Sequence, residues 1–238
     1  MMKHLAAFLF SLALPIAAYA DVIKFHESGV WVRPAGVVAI TVEMVGGGGP
    51  GGPAQSVSPG QCSAGAGGSA AAYARKTIDV SEISSALITV GQGGSGCNGC
   101  NGTHGSASKW DDGVNEVVAG GGHRAGHLGA GGENNFVNSG FGGSATGGDI
   151  NVSGEPGGYG MRLGGEVCVA GAGANTVFGT GGKARVNQPG NNLNSRGRDG
   201  GHGAGGAGAI SASHNAPRGT NAGGDGGDGI VIIKHHYQ

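Results

Sequence analysis

The sequence predicts a protein with few regular elements: a small β element formed by strands at the two ends of the chain, and a sandwich of glycine-rich polyproline-II-type helices between them. Three observations lead to this fold class. Glycine accounts for 57 of 238 residues, against about 7% in ordinary proteins. Many glycines recur at every third position. Strand-like sequence occurs near both ends of the chain.

Composition also limits the function. The chain has 14 Lys and Arg against 15 Asp and Glu, a formal net charge of -1, and only 12% charged residues. A protein that follows nucleic-acid phosphates needs clustered Lys and Arg. We therefore expect no nucleic-acid partner.

Residues 1–20 have the pattern of a signal peptide. Lys3 precedes an apolar run from Leu5 to Leu14, and Ala18-Tyr19-Ala20 supplies a small-residue cleavage site. The run is too short for a membrane-spanning helix, which needs about 20 apolar residues. We expect cleavage before Asp21, no transmembrane segment afterwards, and a secreted, periplasmic or cell-surface protein.

Residues 21–90 form the predicted β-rich part. Apolar and β-branched runs bounded by glycine, proline or serine are typical of strands. The predicted strands are Val22–Phe25, Trp31–Val32, Gly36–Val45, Ala72–Val80 and Ala86–Val90. A closing strand is predicted in residues 229–238, and residues 21–238 are expected to form one domain.

Residues 91–228 form the predicted glycine-helix array with variable loops. Glycines recur every third residue at Gly126, Gly129 and Gly132, and again in the run from Gly197 to Gly206. Each register breaks after a few repeats, whereas collagen needs an unbroken one. Glycine lacks a side chain, so we expect neighbouring backbones to approach closely and hydrogen-bond.

The four cysteines are Cys62, Cys97, Cys100 and Cys168. An even number in an exported chain predicts two disulfides, and three pairings are possible. The Cys97-Asn-Gly-Cys100 spacing occurs in redox motifs, but no helix start is expected there to stabilise a thiolate. We interpret it as a structural bridge. A four-cysteine zinc site is the alternative.

Four blocks resemble the glycine-rich domain of bacteriophage tail fibres, and they occur in the family's order. They are Phe25–Gly49, Ala71–Ile78, Ile88–Gly94 and Asp228–Lys234, within a resemblance that covers residues 24 to 237. The related tail-tip adhesins of T-even-like phages fold as polyglycine-II sandwiches whose variable segments contact host receptors. Phage tail proteins need no signal peptide, so the predicted leader indicates a bacterial-type exported protein with the same module.

If this protein binds as the tail-tip adhesins do, its receptor contacts come from the segments that interrupt the glycine runs. The candidates are aromatic, basic or amide residues: Trp110, Phe136, Phe141, Tyr159, Arg162, Asn191 and Arg196. The expected partner is a surface receptor or a glycan.

No motif predicts catalysis. The G-x-G-x-x-G match at Gly203–Gly208 is of a kind expected several times by chance in so glycine-rich a chain, and it follows no predicted strand. No nucleophile elbow occurs. We therefore expect a non-enzymatic binding module without catalytic residues, cofactor or metal. The alternative is a secreted structural protein that self-associates, and ice binding is a weaker third reading because charged residues interrupt the glycine registers.

Overall fold

The computed structural model describes residues 21–238, so the predicted signal peptide lies outside the described residues. This part of the chain is all-β, with sixteen strands in four antiparallel sheets. The strands are β1 (Val22–Phe25), β2 (Gly29–Val32), β3 (Val37–Val45), β4 (Gln61–Ala64), β5 (Tyr73–Asp79), β6 (Ser85–Thr89), β7 (Ser108–Asp111), β8 (Glu116–Ala119), β9 (Asn135–Val137), β10 (Ala145–Thr146), β11 (Ile150–Val152), β12 (Gly160–Arg162), β13 (Cys168–Val169), β14 (Leu193–Ser195), β15 (Ile210–Ser213) and β16 (Ile230–Tyr237).

The predicted fold class is wrong. Strands β7 to β15 lie inside residues 91–228, where an array of glycine-rich helices was expected. The hairpin of β7 and β8 shows why: the Asp112 carboxylate accepts hydrogen bonds from the backbone N–H groups of Val114, at 2.9 Å, and Asn115, at 2.6 Å. Asp-Gly is a hairpin signal, and Gly113 has the positive φ, 84°, that such a turn requires. The glycine spacing indicated close backbones but did not specify the element type.

Two five-stranded sheets pack face to face as a β-sandwich. Their strand orders are β1-β16-β3-β5-β11 and β10-β8-β7-β6-β2. β16 pairs with both β1 and β3, so the two ends of the described chain lie in one sheet. Inward residues of both sheets form one apolar core, which includes Ile40, Ile233, Ile88 and the two tryptophans Trp31 and Trp110.

Glycine-rich segments connect the strands and form a layer held by backbone contacts, which we call the glycine layer. In residues 46–52, successive N–H groups donate to different neighbouring segments: Gly47 to the carbonyl of Ser106 and Gly48 to that of Gly227, both at 2.8 Å. A Cβ atom on Gly46 would lie 2.6 Å from the carbonyl oxygen of Ala119. The expectation that glycine permits close backbone approach is confirmed.

Two three-stranded sheets, β13-β12-β9 and β14-β15-β4, adjoin this layer. A second, smaller core lies between them, formed by Cys62, Ala64, Cys168, Ala170, Ile210 and Ala212. Most of its side chains are very small, which agrees with the short strands around it. No helix in residues 21–238 is long and apolar enough to cross a membrane.

Candidate binding surface

The sheet β13-β12-β9 carries a row of apolar side chains on its outer face. Met161 on β12 is directly opposite Phe136 on β9 and Val169 on β13. Val169 is also bridged to Val186. Side chains at directly opposed positions share a face of the sheet. The row therefore runs from Phe136 through Met161 and Val169 to Val186.

Large side chains on this face are open to solvent. Phe136 is 66% exposed, Tyr159 58% and Leu163 59%. The rings of Phe136 and Tyr159 are nearly perpendicular, with centroids 6.2 Å apart, an edge-to-face arrangement that aromatic pairs favour. We call the outward side chains of Phe136, Tyr159, Met161, Leu163 and Val169 the aromatic face.

Asparagines border the aromatic face. Asn134 and Asn135 line a shallow groove together with Phe136, Met161, Arg162 and Leu163. The Asn135 side-chain oxygen accepts a hydrogen bond of 2.8 Å from the Phe136 backbone N–H. The groove thus offers apolar surface next to amide donors and acceptors.

The opposite face of this sheet is fixed to the rest of the domain. Arg162 is 7% exposed, and its guanidinium donates to the carbonyl oxygens of Cys62 at 3.1 Å, Gly129 at 2.9 Å, and Glu133. The neighbouring Cys168 forms a disulfide with Cys62 on β4. Buried charge-assisted hydrogen bonds and a covalent bridge therefore hold the sheet from behind.

Comparison with known proteins assigns the chain to a family. The sequence pattern of the glycine-rich domain family matches residues 25–236, nearly the whole described chain. The chain belongs to this glycine-rich domain family. No curated protein matches the sequence.

The glycine-rich domain brings only some of the predicted contact residues together. Phe136 and Tyr159 lie side by side on the aromatic face. Arg162 lies on the same strand pair but points inward, so its buried side chain has a structural role and is removed from the contact candidates.

Trp110 is also removed as a contact residue, because its side chain is completely buried. Its ring packs against that of Trp31, with centroids 5.2 Å apart, and its indole N–H donates to the Asp112 carboxylate at 3.0 Å. Burial raises the pKa of Asp112, but hydrogen bonds from Asn115, Trp110 and Val114 outweigh this, so that the pKa is below its ordinary value. Trp110 thus completes the sandwich core and anchors the β7–β8 turn.

The remaining candidates are exposed but lie outside the aromatic face. Phe141 is 81% exposed and its ring neighbours that of His123. Asn191 is exposed in the turn before β14. Arg196 pairs with Asp199 at 3.0 Å and Asp225 at 2.6 Å.

The candidate segment Tyr159–Arg162 contains Met161, but Leu163, Val169 and Val186 were missed. A signal for Leu163 was present, because Tyr159, Met161 and Leu163 alternate with other residues at the period of a strand. The cross-strand neighbours Val169 and Val186 had no such signal, since their places depend on pairing between distant segments.

The cysteines form the disulfides Cys62–Cys168 and Cys97–Cys100, one of the three pairings left open. In residues 21–238, no three His, Cys, Asp or Glu side chains are grouped so that they could hold a metal ion.

Proposed function

We propose that this glycine-rich domain is an exported, non-enzymatic binding protein and that the aromatic face attaches it to a surface receptor or glycan. The observation that carries the proposal is the pair Phe136 and Tyr159, which are well exposed on a sheet whose other side is fixed by Arg162 and the Cys62–Cys168 disulfide.

Exposed aromatic groups on a fixed support suit recognition. Contiguous exposed apolar surface on a soluble domain commonly marks an interaction site. Aromatic side chains provide a large contact area and lose little conformational entropy on binding. Since the sheet is already ordered, binding carries no free-energy cost for ordering it.

The chemistry of the face favours an uncharged saccharide. Aromatic rings pack against the C–H groups of a sugar ring, and the amides of Asn134 and Asn135 can donate to and accept from hydroxyl groups. The groove beside Phe136 is lined by Asn134, Asn135, Met161 and Leu163 and by one charged residue, Arg162. The Arg162 guanidinium is occupied by the carbonyl oxygens of Cys62 and Gly129.

Export and adhesion belong to the same proposal. Two disulfides agree with an oxidising compartment. The resemblance to phage tail-fibre domains supports attachment through segments between glycine runs. Phe136 lies in such a segment, between Gly132 and Gly140.

The test is binding of the purified protein to an array of neutral and charged glycans and to intact bacterial cells. We compare the wild type with Phe136→Ala/Tyr159→Ala. Loss of central aromatic contacts commonly costs 2 kcal/mol or more, so affinity should fall about 30-fold.

Phe141→Ala is the matched control, because it removes an even more exposed aromatic ring, 81% accessible, that lies outside the aromatic face. It should bind as the wild type does. Unchanged binding by the double variant, or equal losses in the control, would reject the aromatic face as the site. Thermal melting of each variant verifies that the fold is intact.

A further inference from the structure

Strand β2 forms one edge of the second five-stranded sheet. Within residues 21–238 it pairs only with β6. Arg33, just after β2, donates its N–H to the carbonyl of Ser84 at 2.9 Å, on the β6 side. Backbone groups in an antiparallel pair alternate in direction. Val30 and Val32 therefore direct their N–H and C=O groups away from β6, towards the open side.

The four residues of β2 include neither a charge nor a proline, and Arg33 and Pro34 only follow the strand. Protein edges are commonly blocked by a charged residue, by proline or by very short strands. The edge strand β1 of the facing sheet contains Lys24, and the opposite edge strand β10 has only two residues. β2 contains Gly-Val-Trp-Val and no charge.

Exposed apolar side chains accompany the open backbone. Val30 is 60% exposed, Val32 67% and Leu87 56%. Leu87 on β6 is directly opposite Val30, so these side chains form a small apolar patch on the outer face of the sheet.

Charges beside β2 make the edge complementary to itself. Glu27 and Arg33 are both exposed and lie three residues before and after Val30. If two copies pair antiparallel about a two-fold axis at Val30, the end of β2 that follows Glu27 lies beside the end that precedes Arg33 in the other copy. The Arg33 guanidinium also donates to the Ser81 carbonyl oxygen within its own copy, at 2.5 Å. The same register places Val30 opposite Val30 as a hydrogen-bonded pair, while the buried Trp31 side chain of each copy stays in its own core.

We propose that the open edge of β2 binds a second copy of this chain, forming a two-fold dimer with a continuous ten-stranded sheet. The contact is isologous, so it uses both edges and closes at two copies. The patch of Val30 and Leu87 continues across the axis and adds apolar burial. This assembly does not involve the aromatic face and is independent of the proposed binding function.

Sedimentation equilibrium tests the proposal on the purified full chain with both disulfides formed and its N-terminus determined by intact mass. The wild type should show twice the monomer mass. Val30→Lys places a charge at the axis, where it would meet its symmetry copy, and should raise the dimer dissociation constant at least tenfold. Val114→Lys is the matched control, since Val114 is 87% exposed in the β7–β8 turn, and should remain dimeric.

A charge exchange tests the register. Glu27→Arg alone should weaken the dimer by like-charge repulsion, and Glu27→Arg/Arg33→Glu should restore it. A monomeric wild type at several hundred micromolar overturns the proposal. A dimer that Val30→Lys leaves unchanged also overturns it, because another surface would then form the contact.

Discussion

The sandwich and the glycine layer achieve close packing in different ways. In the sandwich, large side chains such as Trp31, Ile88 and Trp110 fill the space between two sheets. In the glycine layer, backbones touch directly and the N–H groups of residues 46–52 reach several neighbouring segments. One region is stabilised mainly by apolar burial, the other by hydrogen bonds that form only because side chains are absent.

The difference predicts different responses to mutation. A side-chain core can adjust by rotamer changes, so exchanges that conserve volume usually cost less than about 1.5 kcal/mol. Backbone atoms in contact have no such freedom, because each is fixed by covalent geometry and by its own hydrogen bonds. A single added methyl group should therefore disturb the glycine layer more than an exchange of similar-sized apolar side chains disturbs the sandwich.

Gly52→Ala should have the largest effect. Its Cβ would overlap the carbonyl oxygen of Gly126, which itself accepts a hydrogen bond of 3.0 Å from the Ala66 N–H. We expect a loss of more than about 4 kcal/mol in the free energy of unfolding. Soluble yield and urea denaturation measure it.

Gly219→Ala is the matched control, because nothing lies within 4 Å of its Cβ position. It should be neutral or slightly stabilising, since alanine restricts the unfolded chain. If both variants were equally stable, the tight backbone contact in the layer would be disproved.

The next largest effect should be a difference between the two disulfides in their contribution to the free energy of unfolding. Cys62–Cys168 joins residues 106 apart and Cys97–Cys100 residues 3 apart. The entropy of loop closure predicts a loss of about 4–5 kcal/mol when Cys62 and Cys168 are both replaced by Ala, and less than about 3 kcal/mol for the short pair. Urea denaturation of the two double variants measures the difference.

The long bridge also lies beneath the aromatic face. Its loss should therefore weaken ligand binding in the Cys62→Ala/Cys168→Ala variant, whereas the other double variant should retain the wild-type affinity. If loss of Cys97–Cys100 destabilised the protein more than loss of Cys62–Cys168, the proposed stabilisation of the small core by the long bridge would be contradicted.

The smallest expected effect is a pH dependence of the free energy of unfolding, caused by His235 in the sandwich. His235 has a fully buried side chain, and its Nε2 accepts a hydrogen bond of 3.0 Å from the Trp31 indole N–H, so the ring is neutral. Burial lowers the pKa of His235 below its ordinary value of 6.5, the nearby Asp21 carboxylate opposes this shift, and His236 adds to it.

Since the folded-state pKa of His235 is lower than the unfolded-state value, the unfolded chain binds the proton first. The stabilisation is fully present above pH 6.5 and is lost as the pH falls towards the folded-state pKa. The slope from one proton is at most about 1.4 kcal/mol per pH unit. Urea denaturation between pH 7.5 and 5.5 should show a smaller slope in His235→Gln than in the wild type. Equal slopes would remove His235 as the cause.

Much of the sandwich could be predicted from local sequence. The segment Gly36–Val45 alternates as a strand should, and it forms β3 over Val37–Val45. Val22–Phe25 is β1, and the predicted closing strand contains β16. Short strands such as β9 and β12 were missed because three residues carry too little periodicity for recognition.

The aromatic face was predicted only in part. Phe136 and Tyr159 were candidates because they interrupt glycine runs, but so were Trp110 and Arg162, which are buried. Nothing local distinguishes Trp110 from Phe136. Their exposure depends on the tertiary packing: the facing sheet β1-β16-β3-β5-β11 covers Trp110, whereas Phe136 on β9 is 66% exposed.

The sequence by itself determined that backbones would lie in contact, that the chain ends would carry strands, and that the four cysteines would form bridges. These properties follow from residue type and local pattern. Only the tertiary structure decided that glycine-rich segments would alternate with short strands, that Cys62 pairs with Cys168, and which aromatic rings face solvent. Those outcomes depend on contacts between residues far apart in the chain, such as the 106 positions that separate the bridged cysteines, and no local pattern encodes them.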